Sequence, residues 1–207
     1  MPAEVCLQGG AEFQPGCESM DTAMLARPGL TPRRVVVAPF AGRPGRERQI
    51  AARNAERWYR SLGARDVVAV LDDTQPFADA LTEEDLLVLP GGSPARLLEA
   101  LTPHADGLRA ALARGTAISG ASAGAMVLCR WTVLPAVPPR VVPALAMVAV
   151  DLVLPHYRGR SGWLRAARTV LPADAVVVGL PERSGIVVRP DGSRHQVGLN
   201  LATLLTA

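Results

Sequence analysis

The sequence predicts an α/β fold of three layers, in which helices cover both faces of a mainly parallel β-sheet. Short runs of valine, leucine and isoleucine alternate with helix-like segments from about residue 33 onwards, as in βαβ units. Each run is apolar almost throughout, which is typical of strands that are buried on both faces. Hydrophobic residues make up 49% of the chain and aromatic residues only 4%, so we expect a core of alanine, valine and leucine.

Four strands are expected in the first part of the chain, at residues 34–38, 66–71, 85–89 and 116–119. An amphipathic helix is predicted between the first two strands, because residues such as Ile50 and Tyr59 share one face while most of the arginines face solvent. Ser93 before Pro94 indicates the N-terminus of a later helix. Gly115 indicates the end of another helix just before the fourth strand.

The remaining elements are predicted from the same kinds of pattern. They are, in order, a buried helix at 123–129, a proline-broken loop at 135–143, a strand at 145–154, a helix at 162–170, and strands at 175–179 and 186–189. Asp191-Gly192 indicates a hairpin turn before a last short strand near residues 196–197. Because no internal repeat or linker interrupts this order, we expect one domain over residues 1–207.

Composition and charge exclude several classes of protein. The net charge is +3, but the basic residues are arginines scattered along the chain, so no nucleic-acid partner is expected. The longest apolar stretch, residues 141–150, is well short of the ~20 residues that a membrane span needs. Cys6, Cys17 and Cys129 are too widely spaced for a disulfide framework or a zinc site. We therefore expect a cytoplasmic protein without a bound metal.

The motif Gly120-Ala121-Ser122-Ala123-Gly124 lies between the fourth strand and the buried helix, where hydrolases carry a nucleophile elbow. Its small residues permit a strained turn that presents the serine at the end of the strand. The N-terminus of the following helix then faces developing negative charge. Ser122 is therefore the predicted nucleophile of a hydrolase, and a turn that serves only close packing is the alternative interpretation.

A nucleophilic serine requires a base, and the chain contains three histidines, His104, His156 and His195. His156 directly follows an apolar strand, and the carboxyl ends of parallel strands carry the sites of α/β sheets. His104 is expected at the exposed start of a helix, and His195 in a surface hairpin. His156 is therefore the predicted general base.

The base in turn needs a carboxylate that orients it and stabilises its protonated form. Glu182 follows another apolar strand, so it too is predicted at a carboxyl end. Asp151 and Asp174 are the alternatives, and Asp151 falls on the opposite face of the strand that precedes His156. Glu182 is preferred for this reason, with a solvated turn glutamate as the other interpretation.

Backbone amides complete the predicted site. The glycine loop after the third strand, which contains Gly91 and Gly92, leads into a helix and has free N–H groups. We predict an oxyanion hole that pairs the N–H of Gly92, or that of Gly91, with the N–H of Ala123. A tight turn between strand and helix would also explain one of the two glycines.

Together these motifs resemble the peptidase E and cyanophycinase family of serine peptidases, whose domain is similar to class I glutamine amidotransferases, with a flavodoxin-like fold. The similar segments are residues 9–13, 89–92, 120–125, 154–157 and 179–182. The resemblance implies a triad of Ser122, His156 and Glu182, a small peptide substrate, and no metal or organic cofactor. Members of the family cleave peptides with an N-terminal aspartate or a poly-aspartate backbone.

This chain departs from the family at Ala11, where glycine is usual, and in the short loop that follows His156. These departures leave aspartyl specificity open. Arg158 and Arg160 lie directly after His156, and either is a candidate for binding a substrate carboxylate through paired hydrogen bonds.

Two other functions remain open from the sequence. An α/β-hydrolase-type esterase would use His195, because the histidine comes last in the chain order of that fold. A catalytically inactive, amidotransferase-like binding protein would keep the elbow only as architecture. Glutamine amidotransfer itself is excluded, because it needs a cysteine in place of Ser122. The sequence leaves both a monomer and a homodimer open.

Overall fold

The structure, a computed structural model, describes residues 3–26, 34–159 and 162–205. Its strands are β1 Val5–Gln8, β2 Arg34–Val37, β3 Asp66–Ala69, β4 Leu86–Leu89, β5 Ala117–Ala121, β6 Trp131–Leu134, β7 Arg140–Pro143, β8 Leu152–Pro155, β9 Val177–Leu180, β10 Ser184–Val188, β11 Arg194–Gly198 and β12 Thr203–Leu205. Its helices are α1 Glu18–Leu25, α2 Arg46–Ser61, α3 Gln75–Ala80, α4 Pro94–Leu101, α5 Ala105–Arg114, α6 Ala123–Leu128 and α7 Gly162–Ala167. No helix in these ranges combines the length and the apolar character needed to cross a membrane.

The central sheet has seven strands in the order β11-β10-β1-β5-β4-β2-β3. Five of these strands run parallel to one another: β1, β5, β4, β2 and β3. At the other edge, β10 is antiparallel to β1, and β11 is antiparallel to β10. A smaller sheet contains β12, β9 and β8, with β8 and β9 parallel, and β6 pairs with β7. Because parallel strands share a direction, β1, β4 and β5 have their carboxyl ends at one edge of the central sheet.

Apolar layers cover both faces of the central sheet. Alternate residues of a strand point to opposite faces, so Leu87 joins the layer formed with α4, α5 and α6, and Leu86 joins the layer formed with α1 and α2. A third cluster packs the smaller sheet against α6 and α7 through residues such as Met126 and Leu154. Full burial of one such leucine contributes roughly 1.5–3 kcal/mol. The predicted three-layer α/β fold with a mainly parallel sheet is confirmed.

The predicted strand at residues 145–154 is wrong over most of its length. A strand forms there only at Leu152–Pro155, and Arg140–Pro143, inside the predicted loop, pairs with Trp131–Leu134. The segment between them donates three N–H groups to carbonyls at the end of α6: Leu145 N to Val127 O, Met147 N to Leu128 O and Ala146 N to Cys129 O. The segment therefore caps α6, whose last carbonyls lack partners within the helix. The segment contains buried apolar residues, and for this reason its sequence resembles that of a strand.

Two features near the N-terminus also differ from the prediction. The strand β1 and the helix α1 have no counterpart among the predicted elements. In α2, Arg48 is buried, because its guanidinium lies 3.3 Å from Asp73 and over the ring of Phe40. Ile50, predicted on the apolar core face of α2, is 46% exposed.

Both predicted helix ends are confirmed. Ser93 Oγ accepts the N–H of Arg96 at 3.3 Å, which caps the start of α4. Gly115 ends α5 with a φ of 104°, a left-handed conformation that glycine adopts without a steric penalty.

The three cysteines are free and buried. Burial raises the pKa of Cys17 to about 11, and it raises the pKa values of Cys6 and Cys129 further. A thiol must ionise to act as a nucleophile, so this burial disfavours a nucleophilic role for the three cysteines.

Candidate active site

Three of the predicted side chains lie together at the carboxyl ends of three strands. Ser122 follows β5, His156 follows β8 and Glu182 comes shortly after β9. Ser122 Oγ lies 3.0 Å from His156 Nε2, and His156 Nδ1 lies 3.1 Å from Glu182 Oε1. When Nδ1–H donates to the carboxylate, Nε2 remains as the acceptor for the serine hydroxyl. The three side chains therefore form one chain of hydrogen bonds.

Ser122 occupies a strained turn between β5 and α6. Its φ of 49° and ψ of −106° lie outside the regions that residues other than glycine normally adopt. The helix α6 packs so closely on the sheet that a Cβ on Gly124 would lie 2.1 Å from Leu89 O. The N–H of Ser122 donates to Gln8 O at 2.9 Å and holds the turn in place. This is the geometry that the elbow motif predicts.

Residues 8–10, at the end of β1, connect the parts of the site. Three consecutive carbonyls accept N–H groups from the residues that carry or adjoin the three side chains: Gln8 O from Ser122 N at 2.9 Å, Gly9 O from His156 N at 2.9 Å and Gly10 O from Arg183 N at 3.2 Å. The segment thereby joins the central sheet to the ends of β8 and β9. We call it segment 8–10.

Gly10 lies directly against the imidazole of His156. Gly10 has a φ of 124°, and a Cβ at this position would lie 2.3 Å from His156 Cε1. The His156 side chain is 48% exposed. Its position therefore depends on Gly10 and on its hydrogen bonds rather than on deep burial.

We expect Gly10→Ala to lower kcat/KM for peptide hydrolysis by about 10²-fold or more, because the new methyl group must push the imidazole away from Ser122. Gly63→Ala is the matched control, since Gly63 also has a positive φ, of 93°, but a Cβ there meets no atom within 4 Å. Steady-state kinetics and thermal melting of both variants test the prediction. Equal losses of activity in the two variants would show that backbone strain, and not the contact with His156, is responsible.

Among the predicted oxyanion donors, Gly91 lies close to Ser122, and its N–H already has a partner. Gly91 N donates to Glu12 Oε1 at 2.9 Å. A Cβ on Gly91 would lie 2.7 Å from that oxygen and 3.2 Å from Ser122 Cβ, so only glycine fits between the two side chains. Within the described ranges, the N–H of Gly92 has no acceptor. Gly92 and Ala123, the first residue of α6, thus offer the N–H groups that are left for an oxyanion.

A cleft of about 520 Å³ opens beside His156 and Glu182. Its other walls come from the loop after β1, from α2 and from the loop after β4: Ala11, Glu12, Phe13, Gln14, Glu47, Ile50, Ala51, Asn54, Pro90 and Gly91. The exposed side of Ile50 thus faces this cleft and not the core. The lining contains three carboxylates and, in the part of the chain that is described, no arginine. No group of three or more His, Cys, Asp or Glu side chains in that part is arranged to hold a metal ion.

A family model described as Peptidase family S51 matches residues 5–195, a range that includes Ser122, His156 and Glu182. The chain belongs to peptidase family S51. It is therefore a serine peptidase, and the resemblance predicted from the sequence motifs is confirmed. No curated protein matches the chain.

Two solved structures share the fold of this S51 peptidase. A peptidase from an acI-B1 Actinobacterium has a TM-score of 0.81 and 20% sequence identity, and the match covers 100% of this chain and 95% of that one. A peptidase E protein from Listeria monocytogenes EGD-e has a TM-score of 0.70 and 17% identity, with 97% and 100% of the two chains covered. At these identities the comparisons establish the fold.

The alternative carboxylates lie elsewhere in the S51 peptidase. Asp151 Oδ2 accepts the N–H of Val176 at 2.7 Å, and its Oδ1 lies 3.2 Å from Arg130. Asp174 is exposed. Among the described carboxylates, Glu182 is the one hydrogen-bonded to His156.

The other two histidines of the S51 peptidase do not contact Ser122. His195 is exposed in β11. His104 is half-buried, since its Nε2 lies 2.7 Å from Asp73 O and its ring meets the ring of Phe77 edge to face. The prediction of an exposed His104 is therefore wrong.

The predicted substrate-binding arginines are not part of the described cleft lining. Arg158 is exposed, and the lining does not include it. Arg160 lies outside the described residues. A role for either residue in binding a substrate carboxylate stays a prediction.

Two acidic residues of the S51 site were not predicted, Glu12 and Asp21. Asp21 is 1% exposed and accepts three hydrogen bonds: from Gln8 Nε2 at 2.7 Å, Trp58 Nε1 at 2.8 Å and Tyr59 Oη at 2.9 Å. This network fixes Gln8, whose carbonyl holds the N–H of Ser122. The available signal was the Trp-Tyr pair on the apolar face of α2, because buried tryptophan and tyrosine usually need hydrogen-bond partners.

Proposed function

We propose that this S51 peptidase hydrolyses small peptides, with Ser122 as nucleophile, His156 as general base and Glu182 as the group that orients the imidazole. The observation that carries the proposal is the chain of hydrogen bonds from Ser122 Oγ to His156 Nε2 at 3.0 Å and from His156 Nδ1 to Glu182 Oε1 at 3.1 Å. This arrangement has the connectivity of a serine-protease triad. The volume of the adjacent cleft lies in the range of sites for small ligands.

In the first step, Ser122 Oγ attacks the scissile carbonyl carbon while His156 Nε2 takes the hydroxyl proton. The carbonyl oxygen becomes an oxyanion, which the N–H groups of Gly92 and Ala123 stabilise. His156 then gives the proton to the leaving amine as the C–N bond breaks, and an acyl ester remains on Ser122. Water hydrolyses this ester with His156 again as the base, and the Glu182 carboxylate stabilises the imidazolium in both halves of the reaction.

The cleft lining does not support the N-terminal aspartate preference that the family resemblance implies. An arginine in the cleft would favour an aspartate side chain, because it binds the carboxylate through two hydrogen bonds. The described lining has Glu12, Glu47 and Glu182 instead. We therefore propose a dipeptidase or related exopeptidase activity without aspartyl specificity.

The nucleophile is tested by labelling with a fluorophosphonate probe, followed by assays with a dipeptide library. Wild type and Ser193→Ala, a control variant at an exposed serine, are expected to be labelled and to cleave dipeptides. Ser122→Ala is expected to lose both properties. Full labelling of Ser122→Ala would overturn the mechanism, and a wild type that neither reacts nor cleaves would favour the amidotransferase-like binding protein.

A further inference from the structure

Glu12 is the cleft carboxylate that has no cationic partner among the described residues. The other two carboxylates are paired: Glu47 with Arg43 at 3.6 Å and Arg96 at 4.0 Å, and Glu182 with His156 at 3.1 Å. Glu12 Oε1 accepts the N–H of Gly91 at 2.9 Å. No residue in the described ranges donates a hydrogen bond to its Oε2. One oxygen is thus anchored to the backbone, and the other is available to a ligand in the cleft.

The carboxylate of Glu12 lies close to the point of nucleophilic attack. A Cβ on Gly91 would contact Glu12 Oε1 at 2.7 Å on one side and Ser122 Cβ at 3.2 Å on the other. The carboxylate of Glu12 and the side chain of Ser122 therefore both lie next to Gly91. In a peptide cleaved after its first residue, the α-ammonium nitrogen is two bonds from the carbonyl carbon that Ser122 attacks. A group in that position is within reach of Glu12.

The loop that carries Glu12 is held in an unusual conformation. Gly10, Ala11 and Phe13 all have positive φ values, of 124°, 61° and 60°. The carbonyl of Ala11 accepts a hydrogen bond from Cys17 Sγ at 3.0 Å, which ties the loop to α1. Positive φ values in residues other than glycine cost free energy and persist only where the surroundings impose them. The fold therefore directs Glu12 towards Gly91.

We propose that Glu12 binds the α-ammonium group of the substrate's first residue, so that the enzyme acts on peptides with a free amino terminus. The proposal rests on the proposed function and adds to it the group that recognises the substrate. An ammonium group has three N–H donors and no acceptor, and a hydrogen bond between opposite charges is stronger than a neutral one. Glu12 Oε2 can accept one of these bonds while Oε1 keeps its bond to Gly91.

The rest of the lining indicates which first side chain the cleft accepts. Phe13, Ile50 and Ala51 provide an apolar wall, and this wall suits an aliphatic side chain. An aspartate side chain would face the carboxylate of Glu12, which has no described cationic partner, and like charges repel. The preferred class is therefore a peptide with a free amino terminus and an apolar first residue.

The test measures how amine ligands protect Ser122 from a fluorophosphonate probe, and it does not depend on turnover. L-Leucinamide carries the free α-ammonium group, N-acetyl-L-leucinamide lacks it, and L-aspartic acid α-amide adds an acidic side chain. In wild type we expect L-leucinamide to protect at a concentration at least about 10-fold lower than either of the other two. Glu12→Gln keeps an oxygen acceptor for Gly91 but loses the charge, and it is expected to abolish this difference.

Glu47→Gln is the matched control, because Glu47 lines the same cleft but is already paired with arginines. It is expected to keep the preference for L-leucinamide. Protection in each variant is expressed relative to the rate at which that variant reacts with the probe in the absence of ligand. Equal protection by the amine and its acetylated form, protection by neither, or a preference that survives in Glu12→Gln would overturn the role of Glu12. Absence of labelling in wild type would instead overturn the proposed nucleophile.

Discussion

His156→Ala is expected to lower kcat for peptide hydrolysis by on the order of 10⁴- to 10⁶-fold. In the described structure, the imidazole is the base within hydrogen-bonding distance of Ser122 Oγ, at 3.0 Å. Without it, the hydroxyl must attack as a weak nucleophile and the leaving amine receives no proton. Steady-state kinetics with a dipeptide that the wild type cleaves measure the effect. KM is expected to change little, because the imidazole acts mainly in the transition state.

His195→Ala is the control for this experiment, because His195 is exposed in β11. Its kcat should match that of the wild type. Imidazole added to His156→Ala is expected to restore part of the activity, since the small base can occupy the space left by the side chain. Loss of activity in His195→Ala, with full activity in His156→Ala, would contradict the assignment and favour the α/β-hydrolase-type esterase.

Asp21→Ala is expected to lower the free energy of unfolding by about 3 to 5 kcal/mol, since each buried donor left without an acceptor costs about 1–3 kcal/mol. Three donors lose their acceptor: Gln8 Nε2, Trp58 Nε1 and Tyr59 Oη. Urea unfolding at neutral pH measures the change. Asp21→Asn keeps the size of the side chain and one acceptor oxygen, so it is expected to lose less. A loss below about 1 kcal/mol in Asp21→Ala would show that the network is not stabilising.

The same residue should give the stability a specific pH dependence. Burial is the largest influence on Asp21 and raises its pKa above the ordinary value of 3.8, although its hydrogen bonds to Gln8, Trp58 and Tyr59 act in the opposite direction. The folded protein therefore binds a proton more readily than the unfolded chain in the interval between the two pKa values. As the pH rises through this interval, the contribution of Asp21 to the free energy of unfolding falls.

Asparagine does not titrate, so the comparison with Asp21→Asn isolates this effect. The stability of wild type relative to Asp21→Asn is expected to be greatest below pH 3.8, to fall as the pH rises through the folded pKa, and to be constant above it. Asp191→Asn serves as a control in which the pKa shift has the opposite direction, because hydrogen bonds from Ser193 lower the pKa of the exposed Asp191. A difference between wild type and Asp21→Asn that does not vary with pH would contradict the prediction.

The positions of Ser122, His156 and Glu182 could be predicted because each follows an apolar run. In a parallel sheet, the carboxyl ends of the strands lie at the same edge, so a residue that directly follows a strand is placed at that edge. The positions of the elbow motif, the histidine and the acid could therefore be predicted without knowledge of the contacts between them. The same reasoning distinguished Glu182 from Asp151, whose carboxylate in fact binds Val176 and Arg130.

Segment 8–10 could not be predicted as the support of the site, because it acts through its carbonyl oxygens and every residue has one. The strand before it, Val5–Gln8, has only four residues, which is too short for a recognisable hydrophobic pattern. The contact of Glu12 is equally hidden, since its partner is the backbone N–H of Gly91. Contacts of this kind depend on how the loops fold in three dimensions and not on the spacing of side-chain types.

Burial without regular structure explains the largest error in the predicted strands. Leu145 and Val150 are 4% and 1% exposed, as strand residues would be. Their backbone belongs to an irregular segment that caps α6, as shown by Leu145 N, which donates to Val127 O. A hydrophobic pattern reports which side chains are buried, but it does not report where the backbone hydrogen bonds go.

The carbonyls of segment 8–10 join residues that lie far apart in the sequence. The segment begins at the last residue of β1, yet Gly10 O accepts the N–H of Arg183, and Val5 of β1 pairs with Val188 of β10. A growing chain that already contains Ser122 and His156 therefore still lacks the residues that complete the support of the site. We therefore expect hydrolytic activity only after β10 has paired with β1 in the central sheet.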